Sequence, residues 1–332
     1  EKTPVKAHND VELLKNKVRM GLSEKILAQP RSSTPSSSFW LSHIARYAPE
    51  PARRNLAHCC DPDVNKFCGM GSKTAVVTGA SSGIGLCFSK ELAGRGYDLV
   101  MVSNQREELE RAAAELNGTN GIKAVPFYCD LTAPDAHRQI ATFLDENGID
   151  ADVLINNAGI FSFDMVTDTP ERKINCFLDL HCRAVTMLSR EFAERFKKRG
   201  SGRILNMSSM SCWMPMPGIA MYSATKAYIR VFSRALHYEM CDSGVSVTVA
   251  CPGGIATDLF GLPPNLMKLA VRIHAVQTPE KFVHKAVNRM LRGKKQYING
   301  FINRLAIVAV GMTPTGVRML IKHKMLDRDI KR

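Results

Sequence analysis

Thr78-Gly79-Ala80-Ser81-Ser82-Gly83-Ile84-Gly85 stands between a β-branched run, Thr74–Thr78, and an apolar-periodic stretch, Ile84–Arg95. The spacing is G-x-x-x-G-x-G. At a strand-to-helix turn, glycines let the backbone pass close to a pyrophosphate, and the free N–H groups of the helix terminus hold its charge. A glycine cluster by itself is explained by turn sterics. Placed after a first strand and before a helix, it predicts a dinucleotide site, with Gly79, Ser81, Ser82, Gly83, Ile84 and Gly85 as contacts.

Outward from this turn, short β-branched runs alternate with helical ones. Asp98–Ser103, Ala124–Cys129, Val153–Asn156, Arg203–Met207 and Val245–Cys251 read as strands, with Gln296–Asn299 as a seventh at an edge. Helices are expected over Glu107–Leu116, Ala133–Asn147, Glu171–Lys198 and Tyr222–Tyr238, and Thr278-Pro279-Glu280 opens another with proline at its first position. Strands of about six residues joined by helices of ten or more imply right-handed βαβ crossovers and a parallel α/β sheet covered on both faces. The nucleotide-binding domain is expected over residues 70–300, including a substrate loop at about 258–280. Before it, residues 1–69 read as a poorly ordered extension, rich in Pro and Ser, with one amphipathic stretch from Val11 to Leu27. After it, residues 301–332 read as a basic helical tail.

The formal charge of +14 invites a nucleic-acid reading, but its distribution argues against one. Residues 70–260 hold 19 basic against 21 acidic side chains, whereas residues 261–332 hold 15 against 3. The ten cysteines form no CxxC pair and read as reduced thiols of a cytoplasmic chain. His58-Cys59-Cys60 with Cys68 lacks zinc-site spacing, so no metal is expected. The longest uncharged stretch of the tail, Leu305 to Val317, has 13 residues, short of the roughly 20 that a spanning helix needs. Neither a transmembrane helix nor a signal peptide is expected.

Which dinucleotide binds depends on the tip of the second strand, Met101-Val102-Ser103-Asn104-Gln105-Arg106. No carboxylate stands there to grip a ribose 2′-hydroxyl. Ser103 and Asn104 offer hydrogen bonds to a 2′-phosphate and Arg106 offers charge, which favours NADP(H), with NAD(H) as the alternative. The competing reading makes Arg106 an exposed helix residue paired with Glu110.

Further along, Asn156-Asn157-Ala158-Gly159 ends the fourth strand, Ser208-Ser209 ends the fifth, and Tyr222-Ser-Ala-Thr-Lys226 places Tyr and Lys on one helical face. With Pro252-Gly253 followed by Thr257, these motifs resemble the short-chain dehydrogenase/reductase family in its single-domain form. The resemblance implies a Rossmann doubly wound sheet of about seven strands in the order 3-2-1-4-5-6-7. It implies Tyr222 as general acid/base, Lys226 holding the nicotinamide ribose and, together with the positive nicotinamide of the oxidised cofactor, lowering the Tyr222 pKa from about 10, and Ser209 donating to the developing oxyanion. Asp130-Leu131 would meet the adenine; Asn157, Ala158 and Gly159 would line the central wall; Pro252, Gly253, Ile255 and Thr257 would meet the carboxamide and phosphates.

One position departs from the family's pattern. Family members commonly carry an asparagine in the helix after strand four that holds a proton-relaying water, and here that position holds His181, with Asn175 six residues too early. Histidine passes protons near neutral pH, so a modified relay through His181 is expected. The alternatives are weakened catalysis and a core histidine satisfied by the backbone.

The substrate side reads as apolar. Leu259 to Met267 carries one polar side chain, Asn265, and no charge, and Trp213, Met214, Met216 and Met221 flank the serine and tyrosine, which suits a hydrophobic ketone or 3-oxoacyl compound. The resulting expectation is an NADPH-dependent carbonyl reductase. Against it stand an NAD-dependent alcohol or hydroxysteroid dehydrogenase and a nucleotide-binding protein of the same fold with weakened catalysis. A homo-oligomer is expected. The basic tail around Leu305–Met312 reads either as a solvated face or as peripheral contact with an anionic membrane.

Overall fold

The computed structural model describes residues 73–255 and 277–323. The amphipathic stretch from Val11 to Leu27, the His58–Cys60 cluster with Cys68, Thr257 and the Leu259–Met267 loop lie outside them. Seven parallel strands form one sheet: β1 Lys73–Thr78, β2 Tyr97–Ser103, β3 Ala124–Tyr128, β4 Ala151–Asn156, β5 Gly202–Met207, β6 Val245–Cys251 and β7 Gln296–Ile298. Their order is β3-β2-β1-β4-β5-β6-β7, as the resemblance implies. The connecting helices are α1 Gly83–Ala93, α2 Arg106–Asn120, α3 Ala136–Glu146, α4 Glu171–Phe177, α5 Val185–Arg199, α6 Ala220–Met240 and α7 Pro279–Leu291, followed by α8 Phe301–Gly311 and α9 Thr315–Ile321.

Strand residues alternate between two cores, as a period of two requires. Ala75, Val77, Leu99, Met101, Val153 and Ile155 join Phe88, Leu92 and Phe282 on the α1–α2–α7 face. Val76, Val100, Val102, Leu154 and Ile204 join Ile140, Phe192 and Phe196 on the α3–α5 face. This double burial explains why the strands are almost uniformly apolar.

The expected single helix Glu171–Lys198 is interrupted. A π-turn, Leu178–Ala184, joins α4 to α5 and widens the backbone ladder by one residue. His181 sits at its centre, fully buried.

A polar network crosses the α5 face. Asn156 Nδ2 donates to Asn206 Oδ1 at 2.8 Å and to Ser189 Oγ at 3.2 Å, while Asn206 Nδ2 donates to Ser233 Oγ at 2.9 Å. The network ties β4 and β5 to α5 and α6. Asn206→Ala strands its buried partners, and a loss of about 2–3 kcal/mol is expected. A lower urea midpoint at unchanged slope is the measurement; an unchanged midpoint would show the network to be energetically idle.

In the order β3-β2-β1-β4 the direction in which successive strands are added to the sheet reverses at the β1/β4 boundary, so the loops after these strands diverge and leave a crevice at their carboxyl ends.

Candidate active site

That crevice is a cavity of about 500 Å³. Its nucleotide half is built by the turn after β1. Gly79 and Gly83 have φ of +64° and +54°, the left-handed region that glycine enters freely. Gly85 serves packing: an added Cβ would lie 1.9 Å from the Gly79 carbonyl oxygen, so only glycine lets α1 approach the turn. No side chain caps the first turn of α1 and no acidic residue stands in it, which leaves its N–H groups and positive dipole end open to a pyrophosphate.

Thr78 locks this turn to the one after β4. Its hydroxyl accepts the N–H groups of Asn157 and Ala158 at 3.0 and 3.1 Å and donates to the Ile155 carbonyl. The Asn157 side chain donates back to the Thr78 carbonyl at 3.1 Å, so Asn157 builds the wall by clamping it.

At the β2 tip, Ser103 is buried, with its hydroxyl 3.0 Å from Ser81 Oγ and accepting the Gln105 N–H at 3.1 Å. Its hydroxyl therefore supports the turn, while the residue also lines the cavity. Asn104 is exposed and lines the cavity. Arg106 lies outside the lining: its guanidinium sits 4.6 Å over the Tyr128 ring and 3.9 Å from Glu110, the helix-surface reading. Gln105, beyond the residues expected from the sequence, lines the cavity and accepts from Ser81 Oγ at 2.7 Å.

Gly79, Ser81, Ser82, Gly83, Ile84, Ser103, Asn104, Asp130, Leu131, Asn157, Ala158, Gly159, Pro252, Gly253 and Ile255 all line the same cavity as Ser209, Tyr222 and Lys226. Gly253 is held by Asn299, whose Oδ1 accepts its N–H at 2.6 Å. Asn299 directly follows β7.

In the other half of the crevice, the turns after β5 and β6 are stitched together, Ser208 N–H to Ala250 O at 2.8 Å and Met210 N–H to Pro252 O at 2.7 Å. Ser208 donates to the Lys226 carbonyl at 2.7 Å and so anchors α6. Ser209 faces the cavity and accepts the Ser211 N–H at 3.1 Å. The Lys226 ammonium donates to the Met207 carbonyl at 3.0 Å and lies 5.7 Å from the Tyr222 ring centroid.

Burial sets the electrostatics of both groups. Lys226 is drawn from 10.5 down to about 8, because desolvation opposes its charge. Burial pushes the Tyr222 phenol up, against a smaller opposing effect from its bond to Ser209. In the protein without nucleotide, burial is the larger effect on the phenol.

The residues flanking Tyr222 also differ from expectation. Trp213, Met214, Met216 and Met221 do not line the cavity, and Trp213 is taken up by the Arg230 guanidinium at 4.7 Å. Ile160 and Leu180 line it instead, and Phe161 meets the Tyr222 ring edge-on at 5.0 Å. Phe161 follows the Asn157–Gly159 turn by two residues, and that proximity is the sequence signal for it.

His181 is no relay. Its Nε2 accepts the Ile160 N–H at 3.0 Å and its Nδ1 lies 2.9 Å from Thr225 Oγ1, while burial, then Lys226, pulls its pKa well below 6.5. Both ring nitrogens are occupied and the ring stays neutral.

Among the described residues no group of three or more His, Cys, Asp or Glu could hold a metal ion. A glycine-rich cradle, an open helix terminus, and a phenol and ammonium in one crevice fit a dinucleotide and a carbonyl or alcohol together. They define an oxidoreductase site. The match to the short chain dehydrogenase family model spans residues 73–262, and the chain belongs to that family, among NAD(P)-dependent oxidoreductases acting on CH–OH/C=O groups.

The chain is 31% identical to the very-long-chain 3-oxoacyl-CoA reductase-A of Danio rerio, over 69% of this chain and 70% of that one. It is also 31% identical to a human protein named inactive hydroxysteroid dehydrogenase-like protein 1, over 65% of each chain. A short-chain dehydrogenase of Sphingobium yanoikuyae in complex with NADPH superposes with a TM-score of 0.63 at 28% identity, covering 76% of this chain and 96% of that one.

Proposed function

We propose that the chain is an NADPH-dependent carbonyl reductase acting on a hydrophobic ketone or 3-oxoacyl substrate. The observation that carries this reading is the buried Tyr222 on the wall of a nucleotide crevice that Ser209 and Lys226 also line, with burial pushing the phenol pKa up. A loaded acid at neutral pH serves reduction, in which the carbonyl oxygen must gain a proton. NADPH, when bound, supplies the hydride. Ser209 holds the carbonyl oxygen, Tyr222 gives it the phenolic proton, and the positive charge of Lys226 stabilises the phenolate left behind. The ammonium has further donors beyond the one on Met207, and these serve the ribose of the nicotinamide half.

The β2 tip supports NADPH over NADH, since its cavity residues Ser103, Asn104 and Gln105 include no carboxylate. Ile160, Leu180 and Phe161 support an apolar substrate, in keeping with the named activity of the Danio rerio relative. An NAD-dependent hydroxysteroid dehydrogenase is the nearest enzymatic alternative. A nucleotide-binding protein without turnover is the second reading, favoured by the human relative's name and the occupied His181. Loss of NADPH absorbance with 3-oxoacyl thioesters and bulky ketones separates them; faster loss with NADH, or binding with no loss, would overturn the leading reading.

Two association surfaces belong to this proposal. Tyr228, Val231 and Tyr238 form an exposed apolar stripe on α6 that supports a homo-oligomer. Leu305 and Val308 on α8, and Met312 at its C-terminal cap, are 55%, 60% and 77% exposed, and residues 281–326 contain no acidic side chain. This combination supports peripheral contact with an anionic membrane; among the described residues no helix is long and apolar enough to cross one. Co-sedimentation with phosphatidylserine vesicles at low salt and release at high salt are expected. A chain that stays in the supernatant at low salt removes the membrane reading.

A further inference from the structure

His181 occupies a junction of three elements. It projects from the centre of the π-turn, its Nε2 accepts the N–H of Ile160 on the crevice wall, and its Nδ1 lies 2.9 Å from the Thr225 hydroxyl on α6. A nitrogen accepting from a backbone N–H carries no proton of its own, so the ring hydrogen is on Nδ1 and is donated to Thr225. The Thr225 hydroxyl in turn lies 3.0 Å from the Met221 carbonyl and 3.1 Å from that of Tyr222. The chain of bonds thus begins at a backbone N–H and ends on helix carbonyls. No titratable group stands at either end, and a proton entering it would have to break two buried bonds.

The carbon edges of the ring are packed as well. Phe177 lies edge-on at 5.4 Å and Tyr222 at 6.0 Å between centroids. The close approach of the wall also accounts for Gly159: a Cβ there would fall 2.9 Å from His181 Nε2 and 3.4 Å from Lys226 Nζ.

We propose that His181 is a positioning residue, fixed in its Nδ1–H tautomer, that clamps the crevice wall at Ile160 to the catalytic helix at Thr225 and so sets Tyr222 and Lys226 against the nucleotide. This rests on the reading of Tyr222 and Lys226 as the reacting pair. The two ring nitrogens do separable work: the Ile160 bond holds the nucleotide wall, and the Thr225 bond holds the helix that carries the acid.

The tautomer is read directly from the long-range proton–nitrogen spectrum of the imidazoles in the full chain. His181 is expected to show the Nδ1–H pattern without titrating from about pH 5.5 to 8, where an ordinary histidine changes charge. An Nε2–H pattern or a titration in that window overturns the proposal. Substitution then divides the roles. His181→Asn retains a donor where Nδ1 stands and loses the Ile160 bond, so KM for NADPH is expected to rise about tenfold with kcat nearly kept. His181→Gln retains an acceptor where Nε2 stands and loses the Thr225 bond, so kcat is expected to fall about tenfold with KM nearly kept. Parallel loss of both parameters in both variants contradicts the clamp. If the wild-type chain binds NADPH and reduces no carbonyl, the reductase reading fails, while the spectrum and the nucleotide dissociation constants of the variants still decide His181.

Discussion

Tyr222→Phe is expected to lower kcat about a thousandfold, the middle of the range that a positioned general acid supplies, while NADPH binding persists. The ring has packing duties that phenylalanine keeps, since it meets Phe161 edge-on at 5.0 Å and His181 at 6.0 Å. Only the hydroxyl and its bond to Ser209 are lost. Steady-state rates together with a fluorescence titration of NADPH separate chemistry from binding. A kcat near the wild-type value would mean that the carbonyl oxygen takes its proton from another group.

Lys226→Met is expected to abolish turnover and, at the same time, to raise the melting temperature. The ammonium is 5% exposed and donates to the Met207 carbonyl, so the fold holds a charge at considerable cost. A displacement from 10.5 to about 8 corresponds to about 3 kcal/mol against the charged form. Below about pH 8 the lysine is charged both folded and unfolded, so folding bears that whole cost. Between about 8 and 10.5 the folded form has shed its proton while the unfolded form keeps it, and the cost fades. The stabilisation by methionine should therefore be several degrees at neutral pH and shrink toward pH 10.5. Thermal melts across that range check it; a lower melting temperature at pH 7 would show the ammonium to be net stabilising.

The sheet was legible because its information is periodic. Val76 and Val77 face opposite cores, and the same two-residue alternation repeats in Val100 with Met101 and in Leu154 with Ile155. The crevice was legible because its glycines and the Tyr222–Lys226 spacing are local. What escaped the sequence is competition for hydrogen bonds between distant elements. Ser103 has the chemistry to meet a phosphate but spends its hydroxyl on Ser81 and Gln105, and Arg106 covers Tyr128. Trp213 stands four residues after Ser209 in the chain and is claimed by Arg230 from α6. His181 has the chemistry of a relay, yet Ile160 and Thr225, 21 and 44 residues away, take both nitrogens. The π-turn that delivers it has no periodic signature, because one widened turn leaves the flanking helical pattern nearly unchanged.

Transfer of deuterium from NADPH labelled at nicotinamide C4 tests the central claim most directly. With a 3-oxoacyl thioester or bulky ketone, the wild-type chain should yield an alcohol carrying one deuterium at the former carbonyl carbon, and the Tyr222→Phe chain should yield almost none. Nucleotide that binds while no labelled alcohol forms with any hydrophobic carbonyl, from either labelled face, would contradict the account.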